Sequence, residues 1–333
     1  MPTAQARRTR KAFKPQCAVI YNPIKVDLSS LKKAVNAAAA DAGWAPPLWF
    51  STTEEDMGQR VAASAVRRGA TLVFAAGGDG TVRAVAEALR DSDIALALLP
   101  SGTGNLLARN LDISVTSLSA SIDIGFSGKK RSIDIGVSEI VRENGEVEEH
   151  TFLVMAGLGL DAKMISNTNS RLKKAVGWLA YVDAGIRSLP EIKPVKLRYQ
   201  LDHAPVRSMN VHTIIIGNCG ALPGGILLIP DAKPDDGLLD IVALRPRGPF
   251  GWIKVWNKVA WENGILRKSA LGRKIIDITK DAKDVTYLVG GTLQLWVEEP
   301  QEFQVDGDEF GEATSVRTWV APGALTVMVP AHS

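Results

Sequence analysis

Apolar segments alternate with segments of helical composition over the first 120 residues, and this alternation limits what the chain can fold into more than any other feature. CAVIYNP (17–23) is an apolar run closed by Asn-Pro, a strand and a turn. LSSLKKAVNAAAADAG (28–43) carries helix formers and stops at a glycine, and PLWFST (47–52) follows as a second strand. EEDMGQRVAASAVRRG (54–69) reads as helix, TLVFAA (71–76) as strand and TVRAVAEALRDSD (81–93) as helix. IALALLP (94–100) is a strand and SGTGNLLARNL (101–111) opens another helix. Strands apolar on both faces need cover on both sides, which helical crossovers supply. The pattern predicts a doubly wound α/β domain over 15–125, with a mainly parallel sheet completed by a strand near 315–330.

The rhythm changes at SGKKRS (127–132). Beyond it the chain reads mostly as strands, from SIDIGVSEIV (132–141) through VHTIIIGN (211–218) and EFQVDGD (302–308) to ALTVMVP (324–330). Asn144-Gly145, Asp236-Gly237 and Asp306-Gly307 are turn signals between them. A β-rich, sandwich-like second domain is expected over 130–312, with helices near 173–189 and 250–266. The segment 211–230 is long enough to span a bilayer by count, but His212, Asn218, Pro223 and four glycines interrupt it. It reads instead as a buried strand, a glycine-rich turn and a second strand, and no transmembrane helix is expected.

Charge is unevenly spread. Five basic residues and no acidic one fall in 1–14, and removing them from the 39 Lys and Arg leaves 34 against 36 acidic residues. This basic tail is expected to be disordered, a solvated terminus or a contact for an anionic surface. It is too little to argue for a nucleic-acid partner. Two cysteines, Cys17 and Cys219, sit in apolar stretches and suit a reducing compartment. The four histidines show no ligand spacing. In 251–268, Trp252 and Trp256 share a helical face ringed by lysines. Burial of that stripe is favoured over docking on a membrane, which stays open.

Gly77-Gly78-Asp79-Gly80-Thr81 stands between a strand and a helix. Such a loop either makes a tight turn with Asp79 as a cap, or lets a phosphate reach backbone N–H groups at a helix start. One strand later, Ser101-Gly102-Thr103-Gly104-Asn105 repeats the design. Successive strand-to-helix loops of a parallel sheet lie side by side at its carboxyl edge, where ligands bind. Together they suit a polyphosphate better than either does alone. Neither matches the Walker or dinucleotide pattern. Phosphoryl transfer to an alcohol needs charge neutralisation and modest help with a proton, and Asp79, Asp306 and Asp308 offer carboxylates for both.

Eight motifs in order resemble the diacylglycerol kinase catalytic-domain family of lipid kinases, which includes bacterial soluble diacylglycerol kinases and the sphingosine kinases. They are YNP (21–23), Thr53 with Gly58, GGDGT (77–81), PSGTGNLLAR (100–109), GLGLDA (157–162), LKKAVGWLAY (172–181), GN with PGGILLIPDAKPDDGLLDI (217–241) and QVDGD (304–308). The resemblance implies ATP and Mg²⁺ as cofactors, with Asn22, Thr53, Gly77, Gly78, Gly80, Thr81, Ser101, Gly102, Thr103 and Asn105 in contact with the nucleotide. It implies Asp79 and Asp308 as catalytic, Asp306 as a metal contact, and Asp236 with the Leu238 carbonyl as a structural metal site. Asp161 would lie near the lipid headgroup. It further implies a membrane-resident lipid substrate, most simply diacylglycerol, and a cytoplasmic protein peripheral to the inner face of the membrane; a homodimer is left open. Two positions depart from the family pattern: Asp308 replaces the usual glutamate, and Arg83-Ala84 replaces Asn-Glu, leaving Arg83 as a candidate phosphate contact. Other lipid acceptors, an NAD kinase-like activity and a non-catalytic nucleotide- or lipid-binding regulator are the alternatives.

Overall fold

The structure, a computed structural model, describes residues 14–159, 194–221, 228, 229, 231–245 and 285–331. Strands β1 (Gln16–Tyr21), β2 (Ala45–Ser51), β3 (Leu72–Gly77) and β4 (Ala95–Pro100) pair in parallel in the order β2-β1-β3-β4. Period-two alternation sends their side chains to two cores. Cys17, Val19, Leu72, Phe74 and Ala97 pack with Leu31 and Val35 of α1 (Leu28–Asp41) and Ile122 of α5 (Leu118–Ser127). Ala18, Ile20, Val73, Ala75 and Leu98 pack with Ala62 and Ala65 of α2 (Gln59–Arg67) and Val82, Val85 and Leu89 of α3 (Asp79–Leu89). Helices thus cover both faces, as a doubly wound sheet requires.

Helix α5 has no counterpart in the sequence expectations. Its serines and β-branched residues are poor helix formers, so propensity gives little signal. Ser117 caps it by accepting from the Ala120 N–H, and Gly125 lets it close onto the sheet, since a Cβ there would stand 2.2 Å from the Phe74 ring. The expected helix after β4 is the short α4 (Leu106–Asn110).

The β-rich half contains β5 (Lys129–Val141), β6 (Val147–Phe152), β7 (Met155–Leu158), β8 (Val195–Leu201), β9 (Arg207–Val211), β10 (Thr213–Gly217), β11 (Leu239–Leu244), β12 (Val285–Gly290), β13 (Thr292–Val305) and β14 (Asp308–Val329). Its core gathers Phe152, Leu197, Ile214, Ile216, Leu293, Leu295, Phe303 and Val316. EFQVDGD falls in β13 and the hairpin after it, whereas ALTVMVP is the end of β14, one strand of 22 residues that begins at Asp308. It pairs antiparallel with β13 and β5, shifts register between Ala321 and Leu325, and meets β4 in parallel at Val327 and Leu96. The strands of the two halves therefore form one hydrogen-bonded sheet through β14. In the segment 211–230, β10 is fully buried, while Leu228 and Ile229 form a bend and direct their N–H groups to the Gly220 carbonyl. Among the described residues no helix is long and apolar enough to cross a membrane. The expected helices near 173–189 and 250–266, residues 1–13 of the basic tail, LKKAVGWLAY, Trp252, Trp256 and Asp161 lie outside the described residues.

Two buried carboxylates fasten backbone that strand pairing leaves open. Asp134 accepts from the N–H groups of Gly237 and Gly323, each at 2.7 Å, and so holds the turn carrying Asp236 against the bend of β14. Asp306 and Gly307 both adopt positive φ, the geometry of a tight hairpin, between β13 and β14. The Asp306 carboxylate accepts from Leu153, Val154 and Met155 N–H at 2.9, 2.9 and 3.0 Å. This corrects the expectation that Asp306 contacts metal: it is buried, and both oxygens are turned into the backbone of 153–155.

Gly136 faces Phe152 across β5 and β6, where a Cβ would lie 2.0 Å from the buried ring. Gly136→Ala should cost about 1–3 kcal/mol, read as a lower urea midpoint at unchanged m. Asp306 carries a pH dependence. Burial pushes its carboxyl from 3.8 up to about 6, against the pull of the three amide donors. The folded state thus holds this proton more tightly than the unfolded chain. The stabilisation from that proton is complete below pH 3.8 and is lost as pH rises through about 6. Urea melts across that window should show the wild type losing stability relative to Asp306→Asn, and parallel profiles would rule this out.

Candidate active site

The carboxyl ends of β3 and β4 each lead into a glycine loop, and the loops touch. Ser101 N–H donates to the Gly77 carbonyl at 2.9 Å. A Cβ on Gly102 would stand 2.8 Å from the Gly78 Cα, so position 102 must be glycine for the backbones to meet. Asn105, in the left-handed region at φ 48°, closes the second loop on itself. Its Oδ1 accepts from Gly102 N–H at 3.0 Å and its Nδ2 donates to the Gly102 carbonyl at 2.8 Å.

Asp79 joins the two loops. Its Oδ2 accepts from Asn105 N–H at 2.9 Å and its Oδ1 from Leu106 N–H at 2.6 Å. The first loop thereby caps the first turn of α4, which the second loop introduces. Burial raises the Asp79 carboxyl above its ordinary value, while these amides and the charge of Lys25 pull it back.

The remaining candidates divide between surface and support. Thr81 is buried, with its side chain packed under Gly77, and it supports the loop from beneath. Ser101 Oγ donates to the Leu99 carbonyl at 3.1 Å, and Thr103 is exposed at the loop tip. Asn22 shapes the turn after β1: its Oδ1 accepts from Ile24 N–H at 3.0 Å and its carbonyl from Lys25 N–H at 3.1 Å. Thr53 Oγ1 accepts from Asp56 N–H at 3.1 Å, in the turn before α2 that lays Met57 over Gly80.

Asp308 arrives from β14. Its Oδ2 lies 3.0 Å from where a Cβ on Gly80 would be, so it borders the first loop. Arg83, on α3, donates to the same oxygen at 2.7 Å and rests over the Phe310 ring, 4.7 Å from its centroid. This corrects the expectation that Arg83 faces phosphate: its side chain is 6% exposed and turned to Asp308, whose own is 46% exposed. The sequence did not reveal this partnership across 225 positions; an unmatched basic residue one helical turn after a glycine loop is its only signal. Lys25, also unmarked in the motifs, places its ammonium beside Gly78, 2.7 Å from where a Cβ would stand.

Asp236 Oδ1 accepts from Leu238 N–H at 3.1 Å, which closes its own turn. Among the described residues no three acidic, His or Cys side chains converge as a metal cluster. A Mg²⁺ needs less, because it takes one or two carboxylates and completes its shell with phosphate oxygens and water. Asp308 and Asp79, on either side of Gly80, fit that requirement, since each carboxylate has more acceptor sites than its protein donors use.

The model of the diacylglycerol kinase catalytic domain matches residues 16–138, and that of the YegS C-terminal NAD kinase beta sandwich-like domain matches 154–329. A protein of Pseudomonas aeruginosa named probable lipid kinase YegS-like is 31% identical over 289 residues, covering 85% of this chain and 84% of its own. A Pseudomonas fluorescens protein of the same name is 35% identical over 231 residues, 67% of this chain and 71% of its own. The crystal structure of a putative diacylglycerol kinase from Bacillus anthracis superposes with a TM-score of 0.72 at 20% identity, over 98% of both chains, which speaks for the fold. By these matches across both halves, the chain belongs to the diacylglycerol kinase catalytic-domain family, among its YegS-like members.

Proposed function

We propose that the protein transfers the terminal phosphoryl group of ATP to a lipid hydroxyl, with diacylglycerol as the acceptor and phosphatidic acid as the product. The observation that carries this is the meeting of two glycine loops at Gly78 and Gly102 with a half-exposed carboxylate, Asp308, beside Gly80. Bare backbone at the carboxyl edge of a parallel sheet suits a phosphate chain. The relatives named probable lipid kinase support a lipid as the acceptor.

In this mechanism the lipid oxygen bonds to the γ-phosphorus as the bond from that phosphorus to the β–γ bridging oxygen breaks, and ADP leaves. The hydroxyl proton passes to a carboxylate. Asp308 suits that task, being half-exposed, with Arg83 fixing one oxygen at 2.7 Å. Asp79 suits a different one, because both of its oxygens hold the second loop by the Asn105 and Leu106 amides. It positions the cradle. Asp79 and Asp308 would be the residues to hold a Mg²⁺, which would supply neutralisation of the phosphate charge. The substrate meets the protein at a membrane, which makes peripheral attachment part of the proposal.

The two acids should separate kinetically. Asp308→Asn should lower kcat by about 10²- to 10⁴-fold with ATP affinity near wild type. Asp79→Asn sets an amide donor against one of two backbone donors, so ATP affinity should fall with it. Purified protein with labelled ATP, assayed against diacylglycerol, ceramide, sphingosine, undecaprenol and NAD, checks both acids and the acceptor. Transfer to NAD alone would reject the lipid reading, and equal ATP affinity in both variants would reject the division of roles.

A further inference from the structure

We propose that Lys25 binds the phosphate chain of the nucleotide, its ammonium group lying over the contact between Gly78 and Gly102. The proposal rests on the ATP-dependent reading above and adds a residue outside the motifs that suggested it.

The charges at the loops leave this role to Lys25. A nucleoside triphosphate brings several negative charges to a place where Asp79 and Asp308 already contribute two carboxylates. The helices that follow the loops each carry one basic residue, and both are engaged. Arg83 donates to Asp308 at 2.7 Å, and Arg109 Nε donates to the Gly104 carbonyl at 2.8 Å. Lys25 comes from neither helix. Among the described residues its side chain has no hydrogen bond or ion pair, though its charge acts on Asp79.

Its backbone is held on both sides. The Asn22 turn precedes it, with the Lys25 N–H on the Asn22 carbonyl at 3.1 Å. Two residues later Asp27 caps α1 by accepting from Ser29 and Ser30 N–H at 3.0 and 3.4 Å. The exposed side chain then crosses to Gly78, close enough that a Cβ there would stand 2.7 Å from the nitrogen. A recess of about 280 Å³ opens beside it, lined also by Ser101, Ser114 and Thr116. An ammonium is a compact point charge that hydrogen-bonds phosphate oxygens from several directions, so it suits a chain still to be positioned.

Calorimetry with MgATP on the whole chain tests the assignment. Lys25→Met should weaken ATP binding about tenfold or more, with Lys25→Arg retaining most of the affinity. The ATP affinity of Lys25→Met should also depend less steeply on salt than that of wild type, a change that a purely structural role would not produce. The KM for the lipid should be unchanged. ATP affinity equal in wild type and Lys25→Met would overturn the proposal and leave the kinase reading standing. Wild-type protein that binds no ATP would overturn both.

Discussion

Strand β14 is hydrogen-bonded into both halves of the molecule, and the candidate site exists because of that bonding. One end follows the Asp306-Gly307 hairpin and presents Asp308 to the first glycine loop. The other end lies in parallel against β4, the strand that delivers the second loop. Between them β5 pairs with β14 along most of its length, and Asp134 fixes the bend through Gly323 N–H. A carboxylate more than 200 residues from the GGDGT segment is therefore fixed by a backbone ladder, which holds it far more tightly than side-chain contacts alone. Catalytic placement tolerates little error, and rigid elements hold positions better than loops do.

Within that frame the acids of the site differ because their surroundings differ. Asp79 is half-buried, and each of its oxygens accepts from one amide of the neighbouring loop. Asp306 is buried and spends its oxygens on three amides of 153–155. Asp308, two residues further on, points out of the fold with a single strong donor on it. Engagement of both oxygens by backbone amides makes a strut, and exposure with one fixed oxygen leaves a carboxylate able to act. The Asp-Gly-Asp triplet thus combines both in one hairpin, with the glycine allowing the chain to turn between them.

What the sequence made legible follows from what is local. The four parallel strands and their helices show in apolar periodicity, and the two loops show in glycine spacing, because each depends on a few consecutive residues. Helix α5 was hidden, since Ser117, Ser119, Ser121 and its isoleucines favour no helix, and its formation depends on packing against Phe74 and capping by Ser117. The length of β14 was hidden: a strand is expected only near 315–330, whereas β14 begins at Asp308 and shifts register between Ala321 and Leu325 without ending. Side-chain partnerships were the least visible. The motif that singled out Asp306 could not show that its oxygens face the backbone of 153–155, and nothing near Arg83 in the sequence pointed to Asp308.

The two departures from the family pattern become intelligible as one. A shorter acid at position 308 sits farther back than a glutamate, and such a loss of reach would ordinarily cost alignment. Here the helix opposite it carries Arg83, whose long side chain crosses to Asp308 while Phe310, two residues along the same strand face, supports the guanidinium. The arginine is nearly buried, so its charge must be paired, and Asp308 is the carboxylate that pairs it. Each substitution alone would leave a defect: a short acid without an anchor, or a buried cation without a counter-charge. Together they form a fixed pair bordering Gly80, which is where a carboxylate is needed if a phosphate lies along the loop.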